Sequence, residues 1–194
     1  SLASGSRRDC LILSRAPARC HVGRAGIGRI VDREAAASGF DFRLTAGDLL
    51  FVFGMKDYDY DSVPPTIKLF HLEDRAESIS QRLEQFGPPP YIGVIWRSGR
   101  DADPAAKMTK LKEVPLTALA KAITAIDACL VALQRNPEDG ELASFEAALG
   151  HPLLDFTGYN DDLEDMLALM GILDEYVCVS NTNVHLRAAR GLPS

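Results

Sequence analysis

The chain has 194 residues, 46% of them hydrophobic and 25% charged, and a formal net charge of −6. This is the balance of an ordinary soluble globular protein of one medium domain or one and a half small ones. It argues against a membrane span, since no apolar run approaches the about 20 residues required, and against a nucleic-acid reader, since Arg7, Arg8, Arg15, Arg19, Arg24 and Arg29 are spread out rather than clustered.

In chain order, Cys10–Leu13 reads as a short strand. Gly23-Arg24-Ala25-Gly26-Ile27-Gly28 is glycine-rich, but no clear strand precedes it and its spacing is not that of a dinucleotide fingerprint, so it reads as a flexible turn. Leu49–Phe53 is an apolar run of strand length. Asp57, Asp59 and Asp61 alternate with tyrosines but lack the central Gly and closing Glu of a calcium loop, which leaves an exposed acidic turn. Pro64-Pro65 then breaks the chain.

Asp74–Phe86 reads as a helix, with Asp74 as its N-cap and Ile79, Leu83 and Phe86 on one face. Gly87-Pro88-Pro89-Pro90 ends it and marks a boundary between residues 1–87 and 88–194. Tyr91–Trp96 is a continuous apolar strand of the kind buried on both faces. Leu116, Leu119, Ile123 and Ile126 form a helical stripe. Periodicity alone does not decide whether Ala128–Leu133 continues that helix or forms a buried strand. Glu138–Leu149 reads as a helix with Leu142, Phe145 and Leu149 inward, and Leu153–Phe156 as a strand. Asp161 or Asp162 caps a helix over Leu163–Leu173. Tyr176–Val179 is the last strand; Ser180 to Asn183 form a polar loop, and His185-Leu186 begin a helix.

Strands alternating with helices from Tyr91 onward predict an α/β fold with a parallel sheet flanked by helices. Ligands in such sheets bind at the carboxyl ends of strands, so the positions to watch follow Trp96, Leu133, Phe156 and Val179. The last of these is a natural anion site, because free N–H groups and the helix dipole both favour a phosphate. The four cysteines, Cys10, Cys20, Cys129 and Cys178, show no CxxC pair and no metal spacing, which suits a reducing cytoplasm.

The run Ser180-Asn181-Thr182-Asn183-Val184-His185-Leu186-Arg187-Ala188-Ala189-Arg190-Gly191-Leu192-Pro193 resembles the donor-sugar loop of bacterial ADP-heptose:lipopolysaccharide heptosyltransferases and their tetratricopeptide-repeat-associated relatives, which are glycosyltransferases of the GT-B fold. The family pattern is Asp-Thr-Gly/Ala-x-x-His-Leu-Ala-x-Ala-x-Gly-x-Pro. The His, Leu, Ala, Gly and Pro positions match; Ser180 stands where the family carries Asp, and Asn181 where Thr is usual. The segments at Ile67–Gly99, Leu111–Ala120 and Leu133–Leu142 resemble the family's interdomain helix and strand, its Lys-x-x-Pro-Leu helix start and its post-strand Glu, so the likeness spans roughly residues 66–193 in order. It also places a strand at Ala128–Leu133.

The resemblance implies a GT-B-type, Rossmann-like parallel sheet with flanking helices. Residues 1–87 would be the tail of an acceptor-side domain plus the interdomain helix, and 88–194 a donor domain with another strand and further helices expected beyond Ser194. It implies a metal-independent glycosyltransferase that needs no cofactor besides its nucleotide-sugar substrate, which is ADP-linked in the heptosyltransferases themselves. Its acceptor would be a surface glycan or protein, its location the cytoplasm or the periphery of the inner membrane, and its partner or fused domain a tetratricopeptide repeat. The implied donor-binding residues are Ser98, Lys112, Glu141, Ser180, Asn181, Thr182 and His185. Lys112 would serve as a phosphate cation and Glu141 as acceptor for the ribose hydroxyls. No residue matches the family's catalytic base. The missing base and the Ser at the Asp position leave a second reading open: a nucleotide-sensing or scaffolding relative without activity.

Overall fold

A computed structural model describes residues 11–13, 29–31, 68–98 and 112–193. The chain divides into two compact units, Ser1–Ile67 and Lys68–Ser194. In the first, β1 (Leu11–Leu13) pairs in parallel with β2 (Arg29–Val31). The glycine run at 23–28, the apolar run at 49–53, the acidic turn at 57–61 and Pro64-Pro65 lie outside the described residues.

The second unit runs α1 (Glu73–Glu84), β3 (Tyr91–Ile95), α2 (Leu116–Ile123), β4 (Cys129–Ala132), α3 (Glu141–Leu149), β5 (Leu153–Asp155), a 3-10 turn (Thr157–Asp161), α4 (Leu163–Ile172), β6 (Glu175–Cys178) and α5 (Thr182–Ala189). Its four strands form one all-parallel sheet in the order β5-β4-β3-β6. This is an α/β, Rossmann-like arrangement. Among the described residues no helix is long and apolar enough to cross a membrane.

Alternation along the strands sorts side chains onto two faces. Tyr91 and Ile95 of β3, with Val131, Leu154 and Tyr176, pack against Ile79 and Leu83 of α1, the run Met166–Met170 of α4 and Leu186 of α5. Ile92, Val94 and Trp96, with Leu130 and Ala132, pack against Leu119, Ala120 and Ile123 of α2 and Phe145 and Leu149 of α3. Both faces of β3 are therefore covered, which is why its run is apolar without alternation. Gly93 sits where a Cβ would lie 2.6 Å from Leu173 Cδ1 and 2.9 Å from Leu133 Cδ1. The absent side chain lets α4's end and β4's end close over the strand.

The segment Ala128–Leu133 holds strand β4 rather than a continued helix, with Leu133 N–H extending the ladder to the Val94 carbonyl at 3.0 Å. The preceding helix ends at Ile123, earlier than its stripe suggested, and Ile126 is left exposed. Asp74 is not the cap of α1. The helix begins one residue earlier, after Leu72, and Glu73 and Asp74 occupy the first turn, where their charges suit the dipole. Phe86 lies beyond the last helical residue and is 56% exposed, so it leaves the face shared by Ile79 and Leu83. The unit also begins earlier than the Gly87–Pro90 boundary, because α1 buries Ile79 and Leu83 in the sheet's own core.

Two further helix starts move, and the cap of a third is fixed. α3 starts at Glu141 rather than Glu138, because Glu138–Gly140 make a turn in which Glu141 N–H donates to the Glu138 carbonyl at 3.0 Å and Gly140 takes φ +77°. Asp162, not Asp161, caps α4, accepting the Glu164 N–H at 2.8 Å. α5 starts at Thr182, three residues before His185, because Asn181 caps it.

Candidate functional site: the carboxyl edge of the sheet

The strand order reverses at β3. α2 and α3 carry the chain outward to β4 and β5 over one face; α4 then brings it back over the other face to β6, on β3's opposite side. The segments leaving β3 and β6 thus depart toward opposite faces at the carboxyl edge. That is the usual ligand position in open α/β sheets. Ile95 is level with Cys178, and Val179 N–H donates to the Ile95 carbonyl at 3.3 Å, so the two segments leave from the same height.

Ser98 and Lys112 stand together on the β3 side. Ser98 N–H donates to the Lys112 carbonyl at 2.9 Å, Val114 N–H to the Trp96 carbonyl at 2.7 Å, and Arg97 bridges antiparallel to Glu113. The Ser98 amide is therefore taken by protein, while its hydroxyl stays half-buried beside the exposed Lys112.

Ser180, Asn181, Thr182 and His185 stand together on the β6 side. Asn181 Oδ1 accepts the Asn183 N–H at 2.8 Å and the Tyr176 hydroxyl at 3.0 Å, and Asn181 Nδ2 donates to the Val179 carbonyl at 2.5 Å. Its side chain works as a helix cap. Ser180, Thr182 and His185 are exposed, and Thr182 and His185 share a helix face through their three-residue spacing. Burial drives the Tyr176 phenol well above its ordinary range, and the Asn181 bond lowers it only in part. Burial raises the Cys178 thiol as well.

Glu141 opens α3 at the end of β4 and turns toward β3. Its Oε1 accepts the Trp96 indole N–H at 2.5 Å and Arg97 Nε at 2.8 Å; its Oε2 accepts Arg97 Nη2 and the Glu138 N–H, both at 2.7 Å. These four donors match the roughly four acceptor directions of a carboxylate. Burial alone would raise the Glu141 pKa, but the bonds from Arg97, Trp96 and the Glu138 amide outweigh it and the net shift is downward. The bond to Glu141 correspondingly raises Arg97.

Sequence reasoning missed several polar residues on this edge. Gln134, fully buried, accepts the Arg97 N–H at 3.1 Å and so ties β4's end to β3's. Asn160 donates to the Leu133 and Thr157 carbonyls, both at 2.9 Å, and Asn183 reaches Asn160 at 3.4 Å. Gln134 and Arg97 were within reach, since each follows or closely follows a strand at a watched position. Asn160 carried no periodic signal, and Asn183 stood in the polar loop after the last strand without a role of its own. Among the described residues no group of three or more His, Cys, Asp or Glu is arranged to hold a metal. Cys129 and Cys178 are free and half-buried.

Compared with protein-family models, with curated proteins and with solved structures, the chain matches none of them.

Proposed function

We propose that the second unit binds a nucleotide-activated sugar at the carboxyl edge of β3 and β6, as the donor-binding half of a GT-B-type glycosyltransferase. The observation that supports this most is the reversal of strand order at β3, flanked by Ser98 and Lys112 on one side and Ser180, Thr182 and His185 on the other. In this reading the diphosphate lies toward the α5 N-terminus, where exposed hydroxyls and the helix dipole meet it. Lys112 adds a mobile point charge. An acceptor hydroxyl would attack the anomeric carbon as the carbon–oxygen bond to the diphosphate breaks, the proton leaving the hydroxyl for a base. That base has no assignment among the described residues.

A specific observation favours a second reading, a binder without transferase activity. Glu141 is saturated by protein donors and Ser180 offers no carboxylate, so the two acidic contacts implied for the donor's sugars are missing as the side chains stand.

Thermal-shift titration with ADP, GDP, UDP and CDP tests both readings. At a hundredfold its dissociation constant a ligand adds about 2.7 kcal/mol of stability. A shift with one nucleotide, reduced in Lys112→Ala, is expected. No shift with any of the four on folded protein would sink the nucleotide reading. Binding without hydrolysis or transfer of the matching nucleotide sugar would favour the second.

A further inference from the structure

Resting on the nucleotide reading, we infer that Arg97 is a ligand-binding residue of the sheet's carboxyl edge beside β3 and that Glu141 is its positioning residue, acting on ligand only through it. Arg97 follows β3 directly, at the point where the strand order reverses. Its backbone N–H is fixed by Gln134, and its guanidinium is held on two sides: Nε and Nη2 by Glu141, and Nη2 again by the Asn136 carbonyl at 2.6 Å. Nη1, with its two N–H groups, has no partner among the described residues, and the side chain keeps 16% of its surface.

An arginine fixed in this way has already lost its rotamer freedom, so a ligand oxygen meeting Nη1 costs little further ordering entropy. Glu141 cancels much of its charge, and Glu113 and Glu138 also act on it. Arg97 therefore offers a directed pair of donors rather than net attraction; the nearby Lys112 supplies the charge. A phosphate oxygen of a nucleoside diphosphate suits that combination of fixed fork and mobile ammonium. Glu141 has no acceptor direction left for a ribose hydroxyl while it holds Arg97.

The test is calorimetric titration of the full chain with whichever nucleoside diphosphate binds, with its 2′-deoxy form and with the parent nucleoside. Wild type, Arg97→Lys, Glu141→Gln and the double variant are compared, each first checked for a native melting transition. Arg97→Lys should weaken the diphosphate about tenfold and leave the nucleoside unchanged. Glu141→Gln should weaken the diphosphate less, equally for ribose and deoxyribose forms, and add nothing on top of Arg97→Lys. Additive losses, or a Glu141→Gln loss confined to the ribose form, would overturn the inference by showing direct ribose contact. So would undiminished binding by Arg97→Lys, and that comparison alone decides if Glu141→Gln does not fold. Wild type that binds none of the nucleotides overturns the nucleotide reading itself, and this inference with it; binding by wild type separates the two failures.

Discussion

The Tyr176 hydroxyl donates to Asn181 Oδ1 at 3.0 Å, so a core residue of the last strand and the cap of the last helix share one hydrogen bond. Asn181→Ala removes that acceptor, the cap on Asn183 N–H and the donor to Val179 at once. We expect a loss of about 2 kcal/mol, at the upper end for a helix cap, read as a lower denaturant midpoint with an unchanged slope. Asn181→Asp keeps the acceptors and should lose less.

The same pair predicts a high-pH weakness. The Tyr176 pKa is raised in the folded chain, so the native state holds its proton where the unfolded state has released it. The stabilisation is complete below the ordinary tyrosine value of about 10 and fades as pH climbs above it. Tyr91 is raised too, first by burial, and shares in the effect. Tyr176→Phe should therefore make stability fall less steeply above about pH 10, in urea melts taken along a pH series.

Glu141 predicts the opposite limb. Its folded pKa is depressed, so the unfolded state takes up a proton first as pH falls, and stability drops from the ordinary glutamate value of about 4.3 downward through the folded value. Glu141→Gln should flatten the acid limb of the stability curve. An acid limb of unchanged steepness would show that the ion pair with Arg97 is not formed in solution.

How much of this was legible in advance depended on periodicity. The run Tyr91–Trp96 announced a buried strand because both faces of β3 are covered, whereas Tyr176–Val179 announced a strand but not its burial: β6 (Glu175–Cys178) lies at the edge of the described sheet with Tyr176 alone buried. Ala128–Leu133 stayed ambiguous because a buried strand and a buried helix are equally apolar. The rule that ligands gather beyond strand ends pointed to the carboxyl edge, yet not to the bonds on it. Arg97 lies 44 residues from Glu141 and Asn183 lies 23 from Asn160, and polar loop residues carry no repeat that would pair them. The helix boundaries shifted where a turn or cap, at Gly140 and Asn181, overrode the hydrophobic stripe.

Arg187 is 1% exposed and, among the described residues, donates to the main-chain carbonyls of Met170, Leu173, Asp174 and Pro193. It closes the end of α4, where free carbonyls and the negative dipole end favour a cation. Arg187→Met would leave those acceptors buried and unpaired, at a cost of about 3 kcal/mol or more. Arg187→Lys, with one compact ammonium, should recover only part of it. Thermal melts of both variants check the order.

Gly93→Ala should cost about 1–3 kcal/mol, since the new methyl meets Leu173, Leu133 and Tyr176 side chains closer than they can stand without moving. Chemical denaturation measures it. A neutral result would mean that α4's end gives way freely.

The order β5-β4-β3-β6 also sets a schedule for the growing chain. β3 is the first strand of the second unit to leave the ribosome, and its neighbour β6 is the last of the four described in its sheet. Through the synthesis of everything between them, an apolar central strand keeps one row of amides and carbonyls unmatched, the kind of open edge that recruits other chains. The segment that finally seals it is the one that carries Ser180 to His185. Completion of the proposed nucleotide site and the covering of β3's open side thus arrive in the same stretch of translation.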